Sequence, residues 1–253
     1  MLADNKILSD LSEKSLLAIK ISFEDEGLDF IDALFMKTYC DINKIKLCLK
    51  LGGAEAIRDI KDANKLNAQK IIAPMIESDF ALEKYIKSAE IFYHVPDGEI
   101  GINIESVSGY NNLNRILSSK YCEKLDSITI GRGDLVESLS LNRNNGSVDS
   151  GQILEICQAI LSGARKCNLH TYIGGAMTKN SEHFCLSLIN DNLLDYFETR
   201  NTIFSKDALK YYSFSDLIEA SKTLEYSFLL KKQKYYSSLA NQDITRINKI
   251  KNN

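Results

Sequence analysis

The sequence predicts an α/β chain built on a TIM (β/α)8-type barrel with an extra C-terminal helical arm, and three observations carry that expectation. Short apolar runs of strand length alternate with helix-length segments almost to the end, the pattern of a parallel sheet covered by helices. The 253 residues suffice for one such barrel, which usually takes about 250. Acidic residues recur just past the strand ends, at the rim where barrels build their active sites.

Each element has a local reason. A first strand is expected over residues 16–23, followed by Glu24-Asp25-Glu26-Gly27, and residues 28–39 space their apolar side chains as a helix does. A second strand over 44–51 closes at Gly52-Gly53, and 54–66 is a helix with its charges on one face. The third strand, 69–73, stops at Pro74, which has no N–H to give a ladder, and 79–93 follows as a helix. The apolar strand 100–104 ends in Glu105; after a helix-like segment, strand 127–131 runs into Arg132-Gly133-Asp134. Helix 149–168, strand 169–173 with Gly174-Gly175, helix 181–189 and strand 193–197 before Glu198-Thr199-Arg200 complete the series. Those are seven strands, and the eighth is expected at 202–204 or in a piece elsewhere. The loop 141–150, rich in asparagine, serine and glycine, is the longest interruption and a candidate lid. The barrel domain is assigned to residues 1–205. Residues 206–253 form a helical arm with a lysine-rich tail, read either as a solvated helix with a frayed end or as an oligomerisation arm.

Composition narrows the function classes. The apolar share of 44% and charged share of 26% are those of an ordinary globular domain. A net charge of -3 argues against bulk nucleic-acid binding, and no apolar run reaches the roughly 18–20 residues that span a bilayer. Residues 1–10 show no signal-peptide core, so a cytoplasmic protein is expected. The six cysteines are scattered without C-x-x-C or zinc-type spacing, and only His94, His170 and His183 are present. His170, at the start of its strand, is expected at the opposite rim, and His183 on a helix surface. A metal would therefore be held mainly by oxygen, which selects Mg²⁺ or Mn²⁺.

At the rim the candidates are Glu24, Asp25, Glu26, Lys50, Glu77, Glu105, Arg132, Asp134, Glu198 and Arg200. Clustered carboxylates raise one another's pKa unless a cation neutralises them. Glu105 and Asp134 could ligate a divalent ion, or serve only as a helix cap and a turn acceptor. Lys50 ends an apolar strand facing the barrel mouth, where a cation can polarise a carbonyl or stabilise an enolate oxygen; a Schiff-base lysine is the alternative. Arg200 is expected to pair with the neighbouring Glu198. Gly52-Gly53 and Gly174-Gly175 are tight turns or places where backbone approaches an anionic ligand.

The runs Phe23-Glu24-Asp25, Lys50-Leu51-Gly52-Gly53-Ala54-Glu55-Ala56, Ala73-Pro74-Met75-Ile76-Glu77-Ser78, Asn103-Ile104-Glu105-Ser106 and Gly131-Arg132-Gly133-Asp134-Leu135 together resemble the HpcH/HpaI aldolase and citrate lyase beta-subunit superfamily. The resemblance spans residues 19–204 and rests on the order and spacing of the motifs. It implies a TIM-barrel carbon–carbon lyase of aldolase type that uses Mg²⁺ or Mn²⁺ to bind and enolise pyruvate, a related 2-keto acid, or an acyl thioester. It places metal ligands on Glu105 and Asp134, the enolate cation on Lys50, and proton transfer on Glu24 or Asp25. Gly52, Gly53, Arg132, Gly174 and Gly175 are the expected substrate contacts. Two departures stand out: lysine replaces the arginine that many members carry at Lys50, and no histidine follows the first strand. Lysine is a point charge without arginine's planar fork. A barrel that binds a keto acid or sugar acid without turnover is therefore the second reading. By resemblance the chain is expected to be a homo-oligomer, a trimer or hexamer; composition leads to no expectation of a membrane or nucleic-acid partner.

Overall fold

In the computed structural model, which describes residues 16–24 and 26–251, eight strands close into a barrel in sequence order. They are β1 (Leu16–Ser22), β2 (Lys46–Lys50), β3 (Lys70–Ala73), β4 (Glu99–Ile104), β5 (Ser127–Gly131), β6 (His170–Gly174), β7 (Tyr196–Glu198) and β8 (Thr202–Ser205). Between and after them lie α1 (Phe30–Asn43), α2 (Ile57–Lys65), α3 (Asp79–Phe92), α4 (Val107–Asn111), α5 (Leu113–Leu117), α6 (Arg132–Ser138), α7 (Gly151–Lys166), α8 (Glu182–Asn190) and α9 (Phe214–Lys251). Local chemistry sets several of these boundaries. Asp29 accepts from the N–H groups of Ile31 and Asp32 to start α1, and Lys44 ends it in a left-handed conformation, φ 55°. Ser78, Ser106 and Ser150 cap α3, α4 and α7 in the same manner.

The seven strands expected from the apolar pattern are all present and pair in parallel from β1 to β7. The eighth is where the sequence placed it, but it runs antiparallel to both β7 and β1. The cause is the length of its connection. Only Thr199, Arg200 and Asn201 separate β7 from β8, whereas a parallel crossover needs a dozen or more residues. A hairpin is the only geometry open to it. Asn201 then fastens the hairpin to β1: its carbonyl accepts the Lys20 N–H at 2.9 Å and its side chain donates to the Lys20 carbonyl at 3.1 Å.

Both faces of the strands are buried, for different purposes. Ile19, Ile21, Leu47, Leu49, Ile102, Ile104, Ile128 and Ile130 point outward into one core beneath the helices. Ala18, Cys48, Ile72, Tyr172 and Ile203 form a smaller cluster that fills the barrel itself. Lys70 also lies inside, 3% exposed, donating to Ser127 Oγ at 2.8 Å with its Nζ 3.7 Å from the centre of the Tyr172 ring. Burial pushes its pKa down from the ordinary lysine value.

The arm is more deeply built into the molecule than a solvated helix. Phe214, Leu217, Ile218, Ala220, Leu224 and Phe228 of α9 are buried against the barrel. Further along, Tyr235 meets Phe35 edge-on at 5.4 Å and Tyr236 donates to Asp32 of α1. Beyond that, residues 237–251 are exposed. The cysteines are free, and burial pushes the thiols of Cys40, Cys48, Cys157 and Cys185 up to about 12, the behaviour of small core residues. Among the described residues no helix is long and apolar enough to cross a membrane.

Candidate active site

The inward-facing strand residues become polar toward the strand C-termini: Lys20 and Ser22 on β1, Lys50 on β2, Asn103 with Glu105 just past β4, Thr129 on β5 and Glu198 on β7. All of these but Thr129 line a cleft of about 470 Å³ at that end of the barrel. Lys20, Ser22, Lys50, Asn103, Glu105 and Glu198 form its floor, with Asp134, Arg143, Gly175, Arg200 and Lys222 among the residues around it.

Glu105 is the anchor of one side. It is 2% exposed, with Oε1 accepting the Met75 N–H at 3.1 Å and Oε2 accepting from the Asn103 side-chain amide at 3.1 Å. Met75 holds a left-handed backbone, φ 51°, at this contact. Lys50 Nζ lies 3.6 Å from Glu105 Oε1 and 2.5 Å from Glu24 Oε2. Burial pushes the Glu105 pKa up; Lys50 and the Asn103 hydrogen bond pull it down, and the charges of Asp134 and Glu24 push it up again. Asp134 stands in the first turn of α6, with Arg143 3.4 Å from its Oδ1. Arg143 also pairs with Glu137, so the loop expected as a lid contributes a cleft cation.

On the opposite side Glu198 is at the rim as expected, but its partner Lys20 was missed from sequence. Lys20 of β1 and Glu198 of β7, on either side of β8, form an ion pair inside the barrel, with side chains only 11% and 3% exposed. Lys20 sat unnoticed inside an apolar run because both faces of a barrel strand are buried. The available signal was polar residues at every second position, Lys20 and Ser22, which marks the inward face. Arg200, expected to pair with Glu198, instead lies 3.7 Å from Glu225 and 4.0 Å from Glu26, because the turn it occupies points its side chain outward toward α9.

The glycines divide. Gly131 and Gly174 are register partners at the ends of β5 and β6. A Cβ at Gly131 would overlap the Glu105 carboxylate, and one at Gly174 would lie 2.7 Å from Glu198 Oε1. These two positions are bare because carboxylates from β4 and β7 fold over them. Gly175, φ 77°, passes so close to the α6 start that a Cβ would come within 2.5 Å of the Gly133 N. Gly52 and Gly53, expected as substrate contacts, lie outside the cleft lining; the Gly52 N–H is taken by Asp59 at 2.7 Å, which makes the pair a capped turn. Arg132, also expected to touch substrate, is 0% exposed and outside the lining. Its guanidinium is spent on the carbonyls of Gly174, Gly175 and Val148, on Asp149, and on the Phe184 ring face at 4.8 Å. Asp25 lies outside the described residues. Glu77 accepts from Ser106 and is not part of the lining. None of the three histidines lines the cleft, and His170 is at the opposite end of its strand, as expected.

Whether these residues suit a divalent ion can be judged from their chemistry. Among the described residues no group of three or more histidine, cysteine or acidic side chains is arranged to hold a metal. Of the cleft carboxylates, Glu105 and Asp134 are close enough that the charge of Asp134 raises the pKa of Glu105. Asn103 Oδ1 is buried beside them without a hydrogen-bond partner among the described residues. Two carboxylates with further positions left to water and substrate is the sparing donor set of Mg²⁺, so the residues fit.

Comparisons with known proteins agree with the barrel fold. No curated protein matches the sequence. Among solved structures, the chain is similar to an HpcH/HpaI aldolase from Desulfitobacterium hafniense DCB-2, with 11% identity, TM-score 0.60, and 78% of this chain and 81% of that one covered. It is similar to the citrate synthase SbnG at 15% identity and TM-score 0.62, covering 91% and 90%. An HpcH/HpaI aldolase/citrate lyase family protein from Burkholderia cenocepacia J2315 matches at 12% identity and TM-score 0.61, covering 95% and 91%. At such identities these likenesses speak for the fold alone. The family model for HpcH/HpaI aldolase/citrate lyase matches residues 42–186, more than half of the sequence and the stretch from β2 through most of α8. The chain therefore belongs to the HpcH/HpaI aldolase/citrate lyase family.

Proposed function

We propose that the chain is a divalent-metal-dependent carbon–carbon lyase of aldolase type, acting through the enolate of pyruvate or a related 2-keto acid. The observation that carries this reading is the grouping of Glu105, Asp134 and Lys50 on one cleft, with Lys50 Nζ 3.6 Å from Glu105 Oε1. Mg²⁺ or Mn²⁺ would be held by Glu105 and Asp134, and would supply positive charge to the carboxylate and carbonyl oxygens of the keto acid. Lys50 adds a second positive charge on the cleft floor, where negative charge develops on the enolate oxygen. Glu24 holds the Lys50 ammonium from the other side at 2.5 Å and so orients it. The burial of Glu105 and Asn103 keeps water from competing for these contacts.

The test needs no knowledge of the second substrate. Exchange of the pyruvate methyl protons for deuterium is followed by NMR with and without Mn²⁺, on the native chain and on Glu105→Gln. Metal-dependent exchange that is lost in Glu105→Gln is expected. Tight Mn²⁺ binding without exchange would move the donor from pyruvate to an acyl thioester. Neither binding nor exchange would leave a barrel that binds a small acid without turnover. We further propose that the exposed end of α9, which carries Leu239, Ile244, Ile247 and Ile250, joins copies of the chain into a homo-oligomer.

A further inference from the structure

The proposed reaction needs a group that moves a proton, and the family's usual loop histidine is missing here. We propose that Glu198, held by Lys20, is that group: it takes the hydroxyl proton of a 4-hydroxy-2-keto acid and returns it to the enolate carbon. The inference rests on the aldolase reading above and extends it to the opposite wall of the same cleft.

Three observations select Glu198. First, it faces the reacting region. Gly131 and Gly174 are partners on adjacent strands, Glu105 folds over one and Glu198 over the other. With strands about 4.8 Å apart, the two carboxylates stand within about 10 Å of each other across the floor, the span of a small keto acid. Second, one of its oxygens is available. Lys20 Nζ pairs with Oε1, whereas Oε2 is buried without a hydrogen-bond partner among the described residues, in a side chain 3% exposed. A buried carboxylate oxygen left unpaired is costly and calls for a donor, which a substrate hydroxyl supplies. Third, the neighbouring carboxylates are engaged or lie elsewhere. Both oxygens of Glu105 accept hydrogen bonds, Glu26 accepts from the Asn201 amide at 3.3 Å, and Asp134 is paired with Arg143. Glu24, whose Oε2 also lacks a hydrogen-bond partner among the described residues, is ion-paired with Lys50 and lies outside the cleft lining.

The antiparallel hairpin explains why this residue is so firmly placed. The turn after Glu198 is tied by the Thr199, Thr202 and Ser221 hydroxyls, with Thr199 to Thr202 at 2.8 Å and Thr202 to Ser221 at 2.9 Å. Asn201 locks the same turn onto Lys20 of β1. The strand pair that closes the barrel therefore also sets the Lys20–Glu198 geometry, which makes Lys20 a positioning residue and Glu198 a catalytic one.

The step balances without a co-reactant. Glu198 Oε2 takes the C4 hydroxyl proton, and the O–H electron pair becomes the new C4 carbonyl bond. The C3–C4 bond breaks, and its pair moves into the C2–C3 enolate with the charge on the C2 oxygen beside Lys50. Once the aldehyde has left, Glu198 returns the same proton to C3 to give the keto acid.

The experiment compares native chain, Glu198→Gln, Glu198→Asp, Lys20→Met and Lys20→Arg with Mn²⁺ present. It measures deuterium exchange into the pyruvate methyl group between pH 5 and 9, alongside the dissociation constants of Mn²⁺ and of oxalate as an enolate mimic. Glu198→Gln is expected to exchange about 100-fold more slowly or worse, the scale of a lost general base. Its Mn²⁺ and oxalate affinities are expected to stay near native, and Glu198→Asp to restore part of the rate. Lys20→Met is expected to slow exchange at saturating pyruvate while leaving the Mn²⁺ and oxalate dissociation constants near native, and Lys20→Arg to restore part of the rate, because the cation orients the Glu198 carboxylate. Exchange by Glu198→Gln at the native rate would overturn the assignment of Glu198 while leaving the enolate reading intact. Absence of exchange in the native chain with Mn²⁺ bound would overturn both.

Discussion

Arg132 offers the sharpest test of the structure, because its sequence reading and its position differ. Its side chain is fully buried, and its partner Asp149 is 20% exposed. Removing one member of a buried ion pair costs about 3–5 kcal/mol, since the other charge is stranded. Water can partly reach Asp149, so Arg132→Met should fall at the lower end, about 3 kcal/mol, with methionine filling most of the vacated volume. For a chain of this size each kcal/mol lowers the melting temperature by about 2–4 °C, a total of about 6–12 °C. Arg132→Lys keeps the charge, but one ammonium cannot span the Gly174 and Gly175 carbonyls and Asp149 together, so it should recover only part of the loss. Urea unfolding followed by circular dichroism measures both variants. If Arg132→Met unfolds within about 1 kcal/mol of the native chain but weakens binding of the keto acid, the residue touches substrate and its purely structural role is refuted.

Other consequences can be checked with the same methods. In the metal-free protein Glu105 has its pKa raised by burial, so its ionised form opposes folding at neutral pH; Glu105→Gln should raise the urea midpoint at pH 7, with the gain vanishing near pH 4. A lower midpoint at pH 7 would contradict the assigned burial. Lys70 has a depressed pKa, so the unfolded chain holds that proton more tightly and its share of stability rises with pH toward the ordinary lysine value. Lys70→Met should therefore be neutral or stabilising by about 1 kcal/mol at pH 7, and a clear loss of stability would show that the Ser127 and Tyr172 contacts outweigh desolvation. Truncation before Lys231 should reduce the assembly to smaller species in a sizing measurement; an unchanged mass would remove the arm from the interface.

The seven parallel strands were legible because each is an apolar run bounded by glycine, proline or acid, and such runs carry their own stop signals. The strand-end position of Glu105 was legible for the same reason, since a carboxylate at the end of Ile100-Gly101-Ile102-Asn103-Ile104 has few places to go but the rim. The glycines were harder. Gly52-Gly53 and Gly174-Gly175 look alike in sequence, yet one pair is a turn capped by Asp59 and the other gives room to Glu198 and to the start of α6. Nothing local distinguishes them, because the atoms that need the space come from strands distant in the chain.

The sequence alone determined the α/β class, the strands and the acids that end them, which depend on residues within a few positions of one another, and the family, which rests on the order and spacing of short motifs along the chain. Only the tertiary structure decided the direction of β8, the burial of Arg132 and the pairing of Lys20 with Glu198. Each of these is a contact between segments far apart in the chain: the Lys20–Glu198 pair spans 178 positions and the Arg132 contacts 16 to 49. Such contacts are set by barrel closure, which no local pattern encodes.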